Sequence, residues 1–189
     1  MTKSVMIVGV GGQGSLLASK LLGAVLLNEG YDVKVSEVHG MSQRGGSVET
    51  YVRFGDKVYS PIISKGEADY ILSFEKLEAA RFSEYLKKGG EIIVNTQEID
   101  PMPVITGAAI YPGNILDELI GKGVKVDAID ALELAEKAGS AKAVNIVLLA
   151  RFAKKFDIPY EKWIAAIEKA VAPKFVEMNK KAFKMGYEL

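Results

Sequence analysis

The chain has 189 residues, enough for a substantial core, and its 49% hydrophobic and 25% charged residues are typical of a globular protein. Its 24 basic and 24 acidic residues cancel, which argues against nucleic-acid binding as the main role and suits a subunit that covers part of its surface with a partner. It has no cysteine and one histidine, so it cannot by itself hold an iron–sulfur cluster through thiolates, and a His/Cys zinc site is not expected. No apolar run is long enough to span a membrane and no signal peptide is recognisable, so we expect a cytoplasmic protein with one domain over residues 1–189.

A glycine-rich turn near the N-terminus, Gly9-Val10-Gly11-Gly12-Gln13-Gly14, is the first motif. The β-branched run 5–8 before it predicts a buried strand, and the leucine spacing over 15–27 predicts a helix. A strand, a glycine turn and a helix together form a context in which helix N-terminal amides bind phosphate groups. Glycines at this place also serve simply to pack a helix on a sheet, and both interpretations stay open.

A second polar loop follows the next predicted strand, 31–37. Glu37 stands where a dinucleotide domain places the acid that binds the ribose, but the chain continues into Val38-His39-Gly40-Met41-Ser42-Gln43-Arg44-Gly45-Gly46. Arg44 offers a planar fork for a phosphate or carboxylate, although it could equally pair with an acid of its own fold. His39 beside Glu37 suggests a general base, but a lone loop histidine is more often a hydrogen-bonding or interface residue. Because both loops follow strands at the same edge of the sheet, they should line one crevice.

The remaining pattern alternates between strands and helices. Alternating residues over 47–54 predict a half-exposed strand, and 58–63 could return beside it after a turn to form a hairpin. Further strands are predicted at 68–74, 91–95, 108–111 and 124–128, and helices at 75–88, 114–120, 131–138, 144–156, 160–171 and 173–185. This order predicts an α/β protein, a three-layer α/β/α sandwich with a Rossmann-like, mostly parallel sheet, an inserted β-hairpin and a helical C-terminal third.

Other polar residues are given structural roles. Asp130 is expected to cap the helix at 131–138, and the pairs Asp127/Asp130 and Glu133/Glu136 are interpreted as a strand end, a cap and a solvated helix face. Asn145 is a buried polar residue on an apolar helix, and it could cap that helix or bond to a strand end. Trp163 is expected in the core.

The two glycine motifs together, with the strand that ends near Arg53, resemble the gamma subunit or gamma domain of 2-oxoacid:ferredoxin oxidoreductases. Within that family the string His39-Gly40-Met41-Ser42-Gln43-Arg44-Gly45-Gly46 is most similar to the small subunit of the indolepyruvate enzymes. The resemblance covers essentially the whole chain in length and element order, and the paired motifs are more specific than either alone.

The resemblance implies a holoenzyme that oxidatively decarboxylates a 2-oxoacid with thiamine diphosphate, passes electrons to ferredoxin and yields an acyl-CoA. Thiamine diphosphate, Mg²⁺, [4Fe-4S] clusters and CoA would be held through larger partner subunits, although gamma domains of some members are associated with CoA binding. The implied ligand-facing positions are Gly9, Gly11, Gly12, Gln13, Gly14, Ser42, Gln43, Arg44, Gly45 and Gly46. The implied partner-facing positions are Glu37, His39, Met41 and Arg53. No catalytic residue or metal ligand is assigned to this chain, and the isolated chain is expected to be inactive.

Three alternatives remain at this point. The chain could belong to a pyruvate or 2-oxoglutarate enzyme, because related subunits carry similar strings. It could be a self-sufficient nicotinamide-dependent dehydrogenase that uses the glycine turn and Glu37, which predicts NADH binding by the isolated chain. It could also be a nucleotide- or CoA-binding regulatory module, which predicts tight ligand binding without a larger partner.

Overall fold

A computed structural model describes residues 2–39 and 45–189, leaving out the side chain of His39. The described part of the chain forms a six-stranded sheet in the order β2-β3-β1-β4-β5-β6. The strands are β1 (Lys3–Val10), β2 (Asp32–His39), β3 (Ser47–Gly55), β4 (Ala68–Ser73), β5 (Leu86–Asn95) and β6 (Lys125–Ile129). β1, β4, β5 and β6 pair in parallel, whereas β3 is antiparallel to both β1 and β2. The sheet is therefore mixed and mostly parallel, which confirms the predicted class.

Helices cover both sides of the sheet. They are α1 (Ser15–Asn28), α2 (Lys76–Phe82), α3 (Met102–Ile105), α4 (Ile115–Gly121), α5 (Ala131–Ala138), α6 (Val144–Ala153), α7 (Tyr160–Ala170) and α8 (Val176–Tyr187). Alternate residues of β1 point to opposite faces. Val5 and Ile7 belong to one buried cluster with α1 and α5–α8, while Met6 and Val8 belong to another with α2 and α4. We call these the five-helix face and the two-helix face; together with the sheet they make the three predicted layers.

The structure contains a hairpin, but it pairs β3 with β2 and not, as predicted, with 58–63. Residues 58–63 form no strand; instead the carbonyl oxygen of Ile62 accepts a hydrogen bond of 2.8 Å from Arg53 Nη1, and the Val58 amide donates to Asp32 Oδ2 at 2.9 Å. The antiparallel partner of β3 is β2, which precedes it in the chain. Both long edges of β3 are thus already paired, with β1 on one side and β2 on the other, so no edge is left for 58–63.

Two other boundaries differ from the sequence prediction. The helix predicted at 75–88 ends at Phe82, a 3₁₀ turn covers Ser83–Tyr85, and β5 begins at Leu86 beside Ala68. The strand predicted at 108–111 is absent: the segment lies outside the sheet, and β6 pairs directly with β5. Apolar runs of four residues do not by themselves decide whether a sheet edge is free to receive them.

Several structural predictions for single residues are confirmed. Asp130 Oδ1 accepts a hydrogen bond of 2.9 Å from the Glu133 amide and caps α5. Asp127 pairs with Arg151 through two hydrogen bonds of 2.8 and 3.1 Å. Trp163 is buried in the five-helix face. Among the described residues no helix is long and apolar enough to cross a lipid bilayer.

Candidate functional site

The first glycine turn is held in shape by Gln13. Its Oε1 accepts a hydrogen bond of 2.8 Å from the Val10 amide, and its Nε2 donates to the carbonyl oxygen of Phe74 at 3.0 Å, just after β4. A Cβ at Gly9 would lie 2.8 Å from Gln13 Oε1 and 3.0 Å from Phe74 Cβ, so a larger residue there would displace the Gln13 side chain. The side chain of Gln13 is thus engaged within the fold, joining the turn to the neighbouring strand.

Gly14 is fixed from the other side by Asn145 of α6. Gly14 has a φ of +84° immediately before α1, and its carbonyl oxygen accepts a hydrogen bond of 3.2 Å from Asn145 Nδ2. A Cβ at Gly14 would lie only 2.6 Å from that nitrogen. Asn145 is buried, as the sequence indicates, but it neither caps α6 nor bonds to a strand end: its Nδ2 bonds to the glycine turn, and its Oδ1 accepts a hydrogen bond of 2.9 Å from the Ile146 amide. A residue 131 positions away therefore sets the approach of α1 to the sheet.

The two predicted loops meet where the structure describes them. The Gly11 amide donates to the carbonyl oxygen of Gly46 at 2.8 Å, and the Gly45 amide donates to that of Gly11 at 3.4 Å. Gly40, Met41, Ser42, Gln43, Arg44 and the His39 side chain lie outside the described residues, so their predicted roles stay predictions. The two loops are nevertheless adjacent at the carboxyl ends of β1 and β2.

An open cavity of about 350 Å³ lies at this junction. The turn contributes Gly11, Gly12 and Gly14 to its wall, the start of α1 contributes Ser15 and Leu16, and β2 contributes Glu37. Gly12 has a φ of +101°, and no atom lies within 4 Å of the place where a Cβ would stand. The first amides of an α-helix have no partner within the helix and attract negative charge. A second cavity of about 550 Å³ lies on the other side of the turn, against Gln13, Gln97 and Lys142.

Glu37 gives the first cavity a different chemistry from a simple anion site. Its Oε2 atom is buried and finds no hydrogen-bond partner among the described residues. A buried carboxylate oxygen without a donor is costly, so it favours an approaching hydroxyl or N–H group. The cavity wall thus combines helix amides suited to an anion with the side chain of Glu37, whose buried carboxylate oxygen calls for a donor.

Arg53 does not join this cavity. It pairs in register with Ser4 and Lys34, at the amino ends of β1 and β2, whereas the glycine turn follows their carboxyl ends. Its Nη1 donates to the carbonyl oxygen of Ile62. Any contact of Arg53 with a partner would be made at the opposite end of β3.

A buried acidic cluster next to the second loop was not found from the sequence. Glu75 caps α2 by accepting a hydrogen bond of 2.9 Å from the Glu78 amide, and Glu78 in turn accepts one from the Ser47 hydroxyl at the start of β3. Burial raises the pKa of Glu78, while the Ser47 hydroxyl and Arg81 oppose the rise. An acid before a helix with a second acid three residues on resembles a capping box, which could have pointed to this cluster.

Glu75 also holds the segment after β5. Its Oε1 accepts hydrogen bonds from the Ile99 amide at 3.2 Å and from the Tyr111 hydroxyl. Burial and the Glu75 carboxylate raise the pKa of Tyr111, so the hydroxyl remains a donor. Among the described residues no group of three or more His, Cys, Asp or Glu side chains is placed to hold a metal ion.

Comparison with known proteins gives the family. The model of the pyruvate ferredoxin/flavodoxin oxidoreductase family matches residues 4–189, and the chain belongs to this family. The chain is 45% identical to the indolepyruvate oxidoreductase subunit IorB of Thermococcus kodakarensis, covering 97% of this chain and 93% of that protein. It is 42% identical to the corresponding subunit of Archaeoglobus fulgidus, covering 99% and 94%.

Solved structures agree on the fold. The gamma subunit of a keto/oxoacid ferredoxin oxidoreductase from Geobacter sulfurreducens aligns over 98% of this chain and 96% of its own, with 25% identity and a TM-score of 0.72. A 2-oxoglutarate:ferredoxin oxidoreductase from Magnetococcus marinus gives a TM-score of 0.78 at 18% identity, and there this fold matches only 30% of a longer chain. The same fold thus occurs both as a separate chain and as part of a larger one.

Proposed function

We propose that this chain, as one domain over residues 1–189, is the small subunit of a cytoplasmic indolepyruvate:ferredoxin oxidoreductase. The observation that carries the substrate class is the identity of 45% with an indolepyruvate oxidoreductase subunit across nearly both whole chains. Against a pyruvate/ketoisovalerate gamma subunit from Thermococcus litoralis the identity is 27%. A pyruvate enzyme is therefore the second candidate, supported by membership of the same family.

The chemistry is assigned to larger partner subunits. With no cysteine, this chain cannot supply thiolate ligands, so [4Fe-4S] clusters and the route to ferredoxin belong to a partner. Thiamine diphosphate with Mg²⁺ would supply the carbanion chemistry of decarboxylation when bound there. The role of this chain is to form a shaped surface beside that active site, built from the glycine turn, the 39–46 loop and Glu37.

CoA is the ligand that this surface suits best. A phosphate group fits the amides at Gly12 and the start of α1, where the glycine leaves open space. Glu37 Oε2, which has no hydrogen-bond partner within residues 2–39 and 45–189, fits a hydroxyl or amide N–H of the same ligand. In this assignment Gly11, Gly12 and Gly14 hold and orient CoA through the backbone, and none of them moves a proton.

The test is reconstitution with the larger subunit. Ferredoxin reduction is assayed with indolepyruvate, pyruvate and 2-oxoglutarate at varied CoA concentration, using the two chains separately and together. We expect activity only from the complex, with the highest kcat/KM for indolepyruvate. Glu37→Gln removes the charge but keeps the shape and an acceptor oxygen, and should raise the KM for CoA roughly three- to tenfold, a loss of the size of one ordinary hydrogen bond. Glu177→Gln, at an exposed side chain of α8, is the control.

Other outcomes separate the alternatives. A preference for pyruvate would assign the second candidate. An unchanged KM for CoA in Glu37→Gln would remove Glu37 from the CoA site. Tight NADH binding by the isolated chain, with no effect of the larger subunit, would replace the proposal by the dehydrogenase.

A further inference from the structure

One segment of the surface is unusually apolar. Residues 101–113, Pro-Met-Pro-Val-Ile-Thr-Gly-Ala-Ala-Ile-Tyr-Pro-Gly, contain no charged side chain, in a protein with 25% charged residues. Three large side chains there are mostly exposed: Met102 at 66%, Ile105 at 65% and Ile110 at 92%. Single exposed apolar residues are ordinary, but a continuous group marks an interaction site. We call residues 101–113 the apolar arm.

The arm has its own internal structure. The amides of Val104 and Ile105 donate to the carbonyl oxygen of Pro101 at 2.9 and 3.1 Å, which forms the short helix α3. The Ala109 amide donates to the carbonyl oxygen of Pro103 at 3.0 Å and turns the chain back. These bonds fix the backbone that displays the exposed side chains.

Both ends of the arm are attached to α2 by one buried carboxylate. Glu75 Oε1 accepts from the Ile99 amide just before the arm and from the Tyr111 hydroxyl near its end. The same hydroxyl accepts a hydrogen bond of 3.2 Å from the Leu77 amide. Glu75 is only 1% exposed, so these bonds are protected from water. The arm is therefore held in place before any partner arrives, which lowers the entropy cost of binding.

The position of the arm indicates which partner covers it. Pro101 and Gly45 line one small cavity of about 80 Å³ together with Glu75 and Glu78, so the base of the arm adjoins the second glycine loop. A partner that covers the second glycine loop would therefore also approach the base of the arm. The occurrence of this fold within a chain about three times as long shows that it can be joined to further domains.

We infer that the apolar arm, with Met102, Ile105 and Ile110 as its anchors, docks into an apolar groove of the larger subunit of the oxidoreductase. This inference rests on the proposed function, since it takes its partner from it. Exposed apolar anchors on a fixed backbone contribute to binding mainly by slowing dissociation. Because the arm carries no charge, its contribution should depend little on salt.

The experiment measures association of the purified chain with the larger subunit, by biolayer interferometry or calorimetry. Ile110→Lys and Ile105→Lys each place a charge on one anchor, and we expect each to weaken binding at least tenfold. Leu27→Lys is the matched control, because Leu27 is also exposed, at 58%, but lies at the end of α1 that is remote from the glycine turn. It should change the Kd less than twofold. Thermal unfolding of each isolated variant checks that its fold is intact.

The outcomes are distinguishable. If both arm variants bind as tightly as the wild type, and the reconstituted enzyme is active, the docking inference is wrong and the proposed function stands. If the isolated chain dimerises through the arm while binding of the larger subunit is unaffected, a second copy is the occupant and the inference is overturned. If the wild-type chain does not bind the larger subunit at all, both proposals fall.

Discussion

The two faces of the sheet are built for different tasks. On the five-helix face, aromatic rings of α7 and α8 contact one another, as in the pair Trp163 and Phe183 with ring centroids 6.0 Å apart. The ring of Phe152 in α6 lies 4.9 Å from that of Phe156, which follows the helix. On the two-helix face, α2 and α4 cover less of the sheet, and buried carboxylates tie the surrounding loops together. From this difference we infer that the five-helix face contributes most of the stability. The two-helix face instead holds the loops around it in place.

The largest expected effect tests the aromatic packing. Phe152 is fully buried and its ring lies 5.3 Å from that of Tyr70, so Phe152→Ala should lower the free energy of unfolding by about 4 kcal/mol. Phe82 on the two-helix face is only partly buried, with its nearest ring, that of Tyr85, 6.0 Å away. Phe82→Ala should cost about half as much. Urea unfolding measures both, and equal losses would remove the proposed difference between the faces.

A pair of glycines compares the same faces at the backbone. A Cβ at Gly186 of α8 would lie 2.3 Å from the carbonyl oxygen of Val147 in α6, so the two helices touch there. Gly186→Ala should therefore destabilise the protein by about 3 kcal/mol. Gly121 ends α4 with nothing within 4 Å of a Cβ, and Gly121→Ala should be neutral or stabilise by about 0.5 kcal/mol through helix propensity. In thermal unfolding, Gly186→Ala should lower the midpoint temperature, whereas Gly121→Ala should leave it unchanged or raise it slightly.

Sequence patterns predicted the five-helix face better than the two-helix face. The helices of the C-terminal third and the cap at Asp130 follow from apolar spacing and local capping rules, which act over a few residues. The early end of α2 and the missing strand at 108–111 depend on which distant segments pair in the sheet, and no local pattern contains that information. The predicted hairpin had the wrong second strand for the same reason.

The candidate site shows the same limit. The glycine turn and its neighbour loop were recognised because turn glycines leave a clear mark in the sequence. The bond from Asn145 to Gly14 and the attachment of the apolar arm to Glu75 join residues far apart in the chain, and only the structure brings them together. The apolar neighbours of Asn145 in the sequence marked it as a buried polar residue, but they did not indicate that its partner is Gly14.

The smallest expected effect concerns the acidity of Glu78 on the two-helix face. Burial raises its pKa above the ordinary value of 4.5, so the folded chain binds this proton more tightly than the unfolded chain does. The stabilisation that comes from binding this proton is therefore fully present below pH 4.5 and is lost as the pH rises through the raised pKa of Glu78. Glu78→Gln keeps an acceptor for the Ser47 hydroxyl but cannot titrate, so its stability relative to the wild type should increase over that interval and then level off. Urea midpoints between about pH 4 and pH 8, with Glu177→Gln as the exposed control, measure this difference. A relative stability that falls with pH would show that the ion pair with Arg81, rather than burial, dominates at Glu78.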